Sequence, residues 1–293
     1  MRKALRFSLA GIALLLATAV QAGSPIGESR VMPADGLVQV ENQAGSIDIT
    51  VWDKTEVAIS GDLGDDVEEL EIQETSSGVQ IRVHNRKNRR NLDESHLRLQ
   101  IPVAASLEAE SVSADISVQG LNGGSVALNS VSGDQTVEAS SGRLEAESVS
   151  GDITFRGHAS RASVETVSGE IDARGFSGEI RISTVSGDVR LIAAQLERGR
   201  FETVSGDLVM ELDVTDGGRL NVQSMSGDAR LTLPAAQQAE FTAQTYSGDI
   251  HSDFGGAKKG GNGPGKTLAF RDGNNGAAIR LESFSGDIRI SRR

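Results

Sequence analysis

The stretch GGNGPGKT at Gly260–Thr267 has the spacing of a phosphate-binding loop, G-x-x-x-x-G-K-[ST]. Such a loop works when a buried strand feeds it and a helix leaves it, so that backbone N–H groups and Lys266 converge on phosphate oxygens. Here DFGGAKKG precedes it and LAFRDGNNG follows, and neither reads as half of a strand-to-helix unit. The stretch is read as a glycine-rich loop over Gly255–Gly265, and no nucleotide is expected.

Carboxylates recur at Asp134, Asp152, Glu170, Asp188, Asp207, Asp228, Asp249 and Asp287. Stacked at the spacing of neighbouring strands they would stand ~5 Å apart and repel. Calcium would relieve that repulsion, since hard oxygens suit it. Neither D-x-[DN]-x-[DN]-G nor the G-G-x-G-x-D nonapeptide is present. The favoured reading has each carboxylate fold back onto an N–H of its own corner, and no cofactor is expected. His84, His96, His158 and His251 show no ligand spacing, and GFSGE at Gly175–Glu179 only approximates a nucleophile elbow. NRKNRR at Asn85–Arg90 reads as a solvated basic loop, with a lipopolysaccharide or acidic-glycan contact as the alternative.

What positions these groups is a repeat. SVSADI from Ser111, SVSGDQ from Ser130, SVSGDI from Ser148, TVSGEI from Thr166, TVSGDV from Thr184 and TVSGDL from Thr203 are copies of one pattern. SMSGDA from Ser224, TYSGDI from Thr245 and SFSGDI from Ser283 continue it. Aligned on the glycine, with Ala114 standing in at the first copy, the spacings are 19, 18, 18, 18, 19, 21, 21 and 38 residues. A fixed period near twenty is the mark of a solenoid, and the double gap implies one interrupted turn. Alternation such as Val164-x-Thr166 and Ile171-x-Ala173 has the period of a strand. Weaker breaks at Gly123-Gly124, Ser141-Gly142, Ser177-Gly178 and Gly217-Gly218 imply at least two strands per turn.

The expected fold is an all-β parallel β-helix, or β-solenoid, of nine or ten rungs, roughly 45 Å long at a spacing of ~4.8 Å. Each rung would lie on its predecessor. Gly133, Gly151, Gly169, Gly187, Gly206, Gly227, Gly248 and Gly286 would turn the corners, with positive φ as the reason for glycine. Inward Ser and Thr could stack as a hydroxyl ladder. Ala114 predicts a relaxed corner at the start of the stack, and Gln135 also departs from the pattern. Between the two hydroxyls stands an apolar residue: Val112, Val131, Val149, Val167, Val185, Val204, Met225, Tyr246 or Phe284. This stripe is expected to be buried by a bulge at the corner, because valine is costly to leave exposed nine times over.

The segment 23–105 lacks the period and reads as an N-terminal β cap continuous with the solenoid of 106–293. At the other end, Ile290–Arg293 would close the stack with charges that discourage end-to-end pairing. The VSGD repeats, the early NQAGSIDITVWD, the LRLQIPV before the first repeat and the final GAAIRLESFSGDIRI resemble a bacterial family of exported β-strand-repeat proteins. That family is of unknown function, and its members are labelled candidate adhesins. The resemblance implies a β-solenoid envelope protein and supplies no catalytic residues.

Residues 1–22 read as a signal peptide, with basic Arg2, Lys3 and Arg6, an apolar Leu9–Val20 and a small-residue cleavage site at Ala22. Its removal would shift the net charge from −12 to −15. So acidic a chain is a poor match for nucleic acid. The absence of cysteine excludes disulfides and thiolate chemistry. The function expected is that of a non-enzymatic scaffold in the periplasm or on the cell surface, binding a cell-surface glycan or an envelope protein. The alternative is a glycan lyase or hydrolase on a β-helix, a fold-level analogy. No carboxylate pair stands out for hydrolysis, and the repeat face shows few Lys or Arg beside which a lyase site could form.

Overall fold

The computed structural model describes residues 25–86, 92–255, 258–259, 265–273 and 276–293. The proposed signal peptide lies outside them, as do part of NRKNRR and part of the glycine-rich loop. All regular structure among the described residues is β. The N-terminal strands are β1 (Pro25–Val31), β2 (Leu37–Trp52), β3 (Glu56–Asp62), β4 (Val67–Glu74), β5 (Gly78–Asn85) and β6 (Ser95–Pro102). The middle holds β7 (Ser106–Asn122), β8 (Ser125–Ser130), β9 (Gln135–Ser148), β10 (Ile153–Thr166), β11 (Ile171–Thr184), β12 (Val189–Thr203) and β13 (Leu208–Ser226). The C-terminal part holds β14 (Ala229–Leu233), β15 (Ala239–Ser247), β16 (Ile250–Ser252), β17 (Lys258–Lys259), β18 (Lys266–Asp272), β19 (Ala277–Ser285) and β20 (Ile288–Arg292).

One turn of the chain has two straight arms. In the turn around Gly169 the first arm buries Ala162, Val164 and Thr166, and the second buries Ile171, Ala173 and Phe176. Parity sets this: every second residue points inward, and both arms feed one hydrophobic core. Successive turns stack in parallel, so Ile153 pairs with Ile171, Ile171 with Val189, and Val189 with Leu208. Like therefore lies over like, and the columns are adjusted by size. Gly199 is buried without a side chain because a Cβ there would lie 2.8 Å from Leu220 Cδ1 and 2.9 Å from Phe201 Cε2. The space is filled from the two neighbours.

Through the middle, each turn lies on its predecessor. At the ends it does not. At the C-terminus β13 and β14 pair in parallel with β19 and β20, the last strands of the chain. Those in turn pair with the earlier β15 and β16. The final turn is thus inserted between two turns that precede it in sequence. The N-terminus mirrors this, because β2 lies between β5 and β6 on one side and β7 on the other. Antiparallel strands cover the outer turns: β4 on β5, β3 on β6, β1 on β3 and β18 on β15.

One expectation fails here. Ile290–Arg293 does not close the stack: Ile288–Ser291 is an interior rung and pairs with β14. The double gap is an interruption, as expected: between Gly248 and Gly286 the chain passes through β16 and β17 and back along the reversed strand β18, which begins at Lys266, before β19 resumes the stack. Lys266 therefore opens a strand rather than a helix, as the rejection of a phosphate loop required. At the Ala114 corner β7 runs on without a break from Ser106 to Asn122, and the backbone bonds to the next turn match those of the glycine corners.

Candidate functional site: the VSGD edge

At five successive corners, from Ser130 to Thr203, the last inward hydroxyl accepts the N–H of the glycine three residues on. Gly151 N–H donates to Ser148 Oγ at 2.8 Å, Gly169 N–H to Thr166 Oγ1 at 3.0 Å and Gly206 N–H to Thr203 Oγ1 at 2.9 Å. These hydroxyls cap the bend within their own turn and do not form the expected ladder; the exception is Ser111 against Ser130, at 3.4 Å. The next residue points out. Its carbonyl accepts from the turn above, as in Ser186 N–H to Val167 O at 2.8 Å and Ser205 N–H to Val185 O at 2.9 Å.

The reason for glycine differs from the one expected. Of the eight corner glycines only Gly227 has positive φ, at +145°. The rest are required by stacking. A Cβ on Gly187 would fall 1.8 Å from the carbonyl oxygen of Gly169, and one on Gly151 would fall 2.0 Å from that of Gly133. Positive φ belongs to the opposite corner, as at Gly175, where φ is +96°.

Most corner carboxylates, though not Glu170 or Asp249, reach the neighbouring turn instead of folding back. Asp134 Oδ1 accepts the N–H of Asp152 at 2.9 Å, and Asp152 Oδ1 that of Glu170 at 2.8 Å. Asp188 holds Asp207 at 2.8 Å, and Asp207 holds Asp228 at 2.9 Å. The bonds then run from Asp228 to Asp287 and from Asp287 to Asp249, following spatial order rather than sequence order. Within this column Arg230 pairs with Asp207 and Asp228, and Lys266 with Asp249. Among the described residues no group of three or more His, Asp or Glu side chains is close enough to hold a metal ion.

The apolar stripe is exposed, contrary to expectation. Val131, Val149 and Val204 are each 46% accessible, and Met225, Phe284 and Tyr246 reach 58%, 55% and 51%. The interior of the corner is already filled by stacked glycine backbone and the capping hydroxyl, so no inward site is left for a valine. The result is a ridge along the edge of the stack. It ends in Phe284 and Tyr246, whose rings stack with centroids 5.0 Å apart and planes 3° from parallel. On one flank runs the carboxylate column. On the other stands a file of glutamates interspersed with neutral residues, in which Glu147 pairs in register with Glu165 and Glu202 with Gln223, and Arg181 and Arg200 reach Glu165 and Glu202. Near the start of that file Arg82 hydrogen-bonds Glu41 at 2.6 Å, which raises its guanidinium above its ordinary value.

Gln135 takes the place of an apolar residue beside this edge. It is fully buried; its Nε2 donates to the carbonyl of Glu147 at 2.7 Å, and its Oε1 has no partner. His84 pairs with Glu71, and His96 contacts Ser46. Ser177 of GFSGE lies half-buried at the opposite corner.

Parallel turns with one repeated corner define an all-β, solenoid-like repeat protein. The chain belongs to the Toastrack DUF4097 family, whose model matches residues 33–176 and again 158–291. The two matches overlap, as a repeating pattern allows. Solved structures are similar at low identity. A candidate lipid-binding protein from Parabacteroides distasonis is 12% identical, with 91% of this chain and 97% of that one covered and a TM-score of 0.49. A candidate adhesin from Bacteroides fragilis is 11% identical, with 94% and 100% covered and a TM-score of 0.41. A candidate cell adhesion protein from Clostridium sporogenes is 9% identical, with 92% and 100% covered and a TM-score of 0.24. No curated protein matches the chain.

Proposed function

We propose that the chain is a non-enzymatic scaffold of the cell envelope, exported by the signal peptide at 1–22, with a stack of nine or ten rungs presenting an adhesive edge. The supporting observation is the ridge from Val112 to Tyr246, apolar and exposed at every repeated corner. A contiguous apolar stripe of that length on a soluble protein is the signature of an interaction surface. The carboxylates on its two flanks set the chemistry of the partner. A second copy of this chain would bring carboxylates against carboxylates, whereas a polypeptide segment with alternating apolar and cationic side chains would match both. The partner proposed is such a segment of an envelope or cell-surface protein.

The test titrates the chain from Gly23 onward with an alternating Leu/Lys peptide, beside Leu/Glu and Leu/Ser peptides. Preferential, salt-sensitive binding of the cationic peptide is expected, together with its loss in the combined variant Val167→Ser, Val185→Ser and Val204→Ser. Equal binding of all three peptides, or full binding by the variant, would overturn the assignment of the ridge. Turnover of any polysaccharide by the same preparation would overturn the non-enzymatic reading.

A further inference from the structure

Arginine is the second residue type that the stack gathers. Arg143 pairs in register with Arg161, Arg161 with Glu179, Glu179 with Arg198, and Arg198 with Arg219. Two residues along the same strands, Arg181 pairs with Arg200. These files line a cleft of about 520 Å³ on the outer face of the first arm, floored by backbone at small residues such as Ala162 and Gly199. In sequence the six arginines look scattered, and the face had been expected to hold few cations. The same period that aligns the corners aligns them.

We infer that this cleft binds an extended acidic polysaccharide, one whose sugars carry carboxylates. Three observations carry this. First, the chain is acidic overall, with 29 Lys and Arg against 41 Asp and Glu, yet it places six arginines around one cleft. Second, the file that includes Arg143 and Arg219 ends in Ser125 on one side and Ala278 on the other, while the Arg181–Arg200 file is broken by Asn221 before Arg280. A packing role would have no reason to stop there. Third, the arginines can change partners: Arg143 pairs with Glu145, Arg181 with Glu165 and Arg200 with Glu202, all on the surface. Arg161 and Arg219 have no carboxylate within ion-pair distance among the described residues, and Arg198 meets Glu179 only at 3.5 Å with both exposed. Exposed pairs of this kind contribute little and exchange readily for a ligand.

The geometry suits a thin chain. Files two residues apart leave a trough ~7 Å wide, and the positions of one file recur about every 4.8 Å over roughly 19 Å, with Glu179 set between two pairs of arginines. Guanidinium forks at that spacing take planar carboxylates two-pronged. Nucleic acid is a poor fit because no aromatic side chain lines the cleft for a base to stack upon.

The test uses the chain from Gly23 onward and an oligogalacturonate, with the carboxyl-reduced neutral oligomer and polyphosphate as comparisons, followed by calorimetry. Saturable binding of the uronate is expected, weakening as NaCl rises from roughly 50 to 200 mM. The combined variant Arg161→Gln and Arg219→Gln should weaken it about tenfold or more, with an unchanged melting temperature, while the triple-serine ridge variant should bind as wild type. Absence of binding at low salt, equal affinity for the neutral oligomer, tighter binding of polyphosphate, or full affinity in the arginine variant would each overturn the inference. A loss shared equally with the ridge variant would do the same.

Discussion

The amide N–H of Asp287 donates to the carboxylate of Asp228 at 3.0 Å although the two are 59 residues apart in the chain. The turn that contains Asp287 holds two others together, β13–β14 on one side and β15–β16 on the other. Removing residues 277–293 should therefore cost far more than trimming an end. It would bare one unpaired edge on each neighbour, and exposed parallel edges aggregate. Loss of the cooperative melting transition and appearance of oligomers in size-exclusion chromatography are expected. A truncated chain that melts as wild type would refute the inserted order.

Corner glycines are predicted to be intolerant of a single methyl. In Gly187→Ala the added Cβ would meet the carbonyl oxygen of Gly169, and backbone on both sides must move. A loss of about 3 kcal/mol or more in denaturant unfolding is expected, above the usual range for a point change. Gly142→Ala, where nothing lies within 4 Å of the added carbon, should change stability by less than about 0.5 kcal/mol.

The carboxylate column should separate hydrogen bonding from charge. Asp152→Ala removes the acceptor of the Glu170 N–H and should cost about 1 kcal/mol. Asp152→Asn keeps an acceptor and removes one member of a like-charged file, so it should be neutral or stabilising. Added NaCl should raise the melting temperature of the wild type and narrow the gap between wild type and the Asn variant.

Gln135 is a local defect with a direct remedy. Ile116 and Ile153 flank it in register, and its buried Oε1 is unsatisfied. Gln135→Ile should stabilise the chain by about 1 kcal/mol, as restored apolar contact replaces an unpaired acceptor. The shift in the denaturation midpoint measures it.

Much of this molecule was legible before any fold was known. The spacing of SVSGDI and TVSGDV announces parallel turns, and the alternation through Val164, Thr166, Ile171 and Ala173 announces which side chains face in. The candidate site was half legible. Its residues were identified by the repeat, but the direction of Val167 and its equivalents was misjudged because the cost of exposing valine was weighed without the lack of room inside the corner. Glycine was expected for its freedom in φ, when at Gly169 and Gly187 it answers to the carbonyl one turn below. The arginine cleft was missed, though Arg143, Arg161, Arg198 and Arg219 keep nearly the same period as the glycines and could have been found by it.

What the chain determines by itself is local: strand parity, the length of a turn and the place of a bend depend on neighbours within about twenty residues. Which turn lies upon which is decided only in three dimensions. Every turn presents the same row of N–H and C=O groups on its edges, so sequence order sets the default stack but does not forbid another. The last turn enters between two earlier ones, and the first between two later ones. There they bury two edges apiece and leave the exposed ends to antiparallel strands that can cover them.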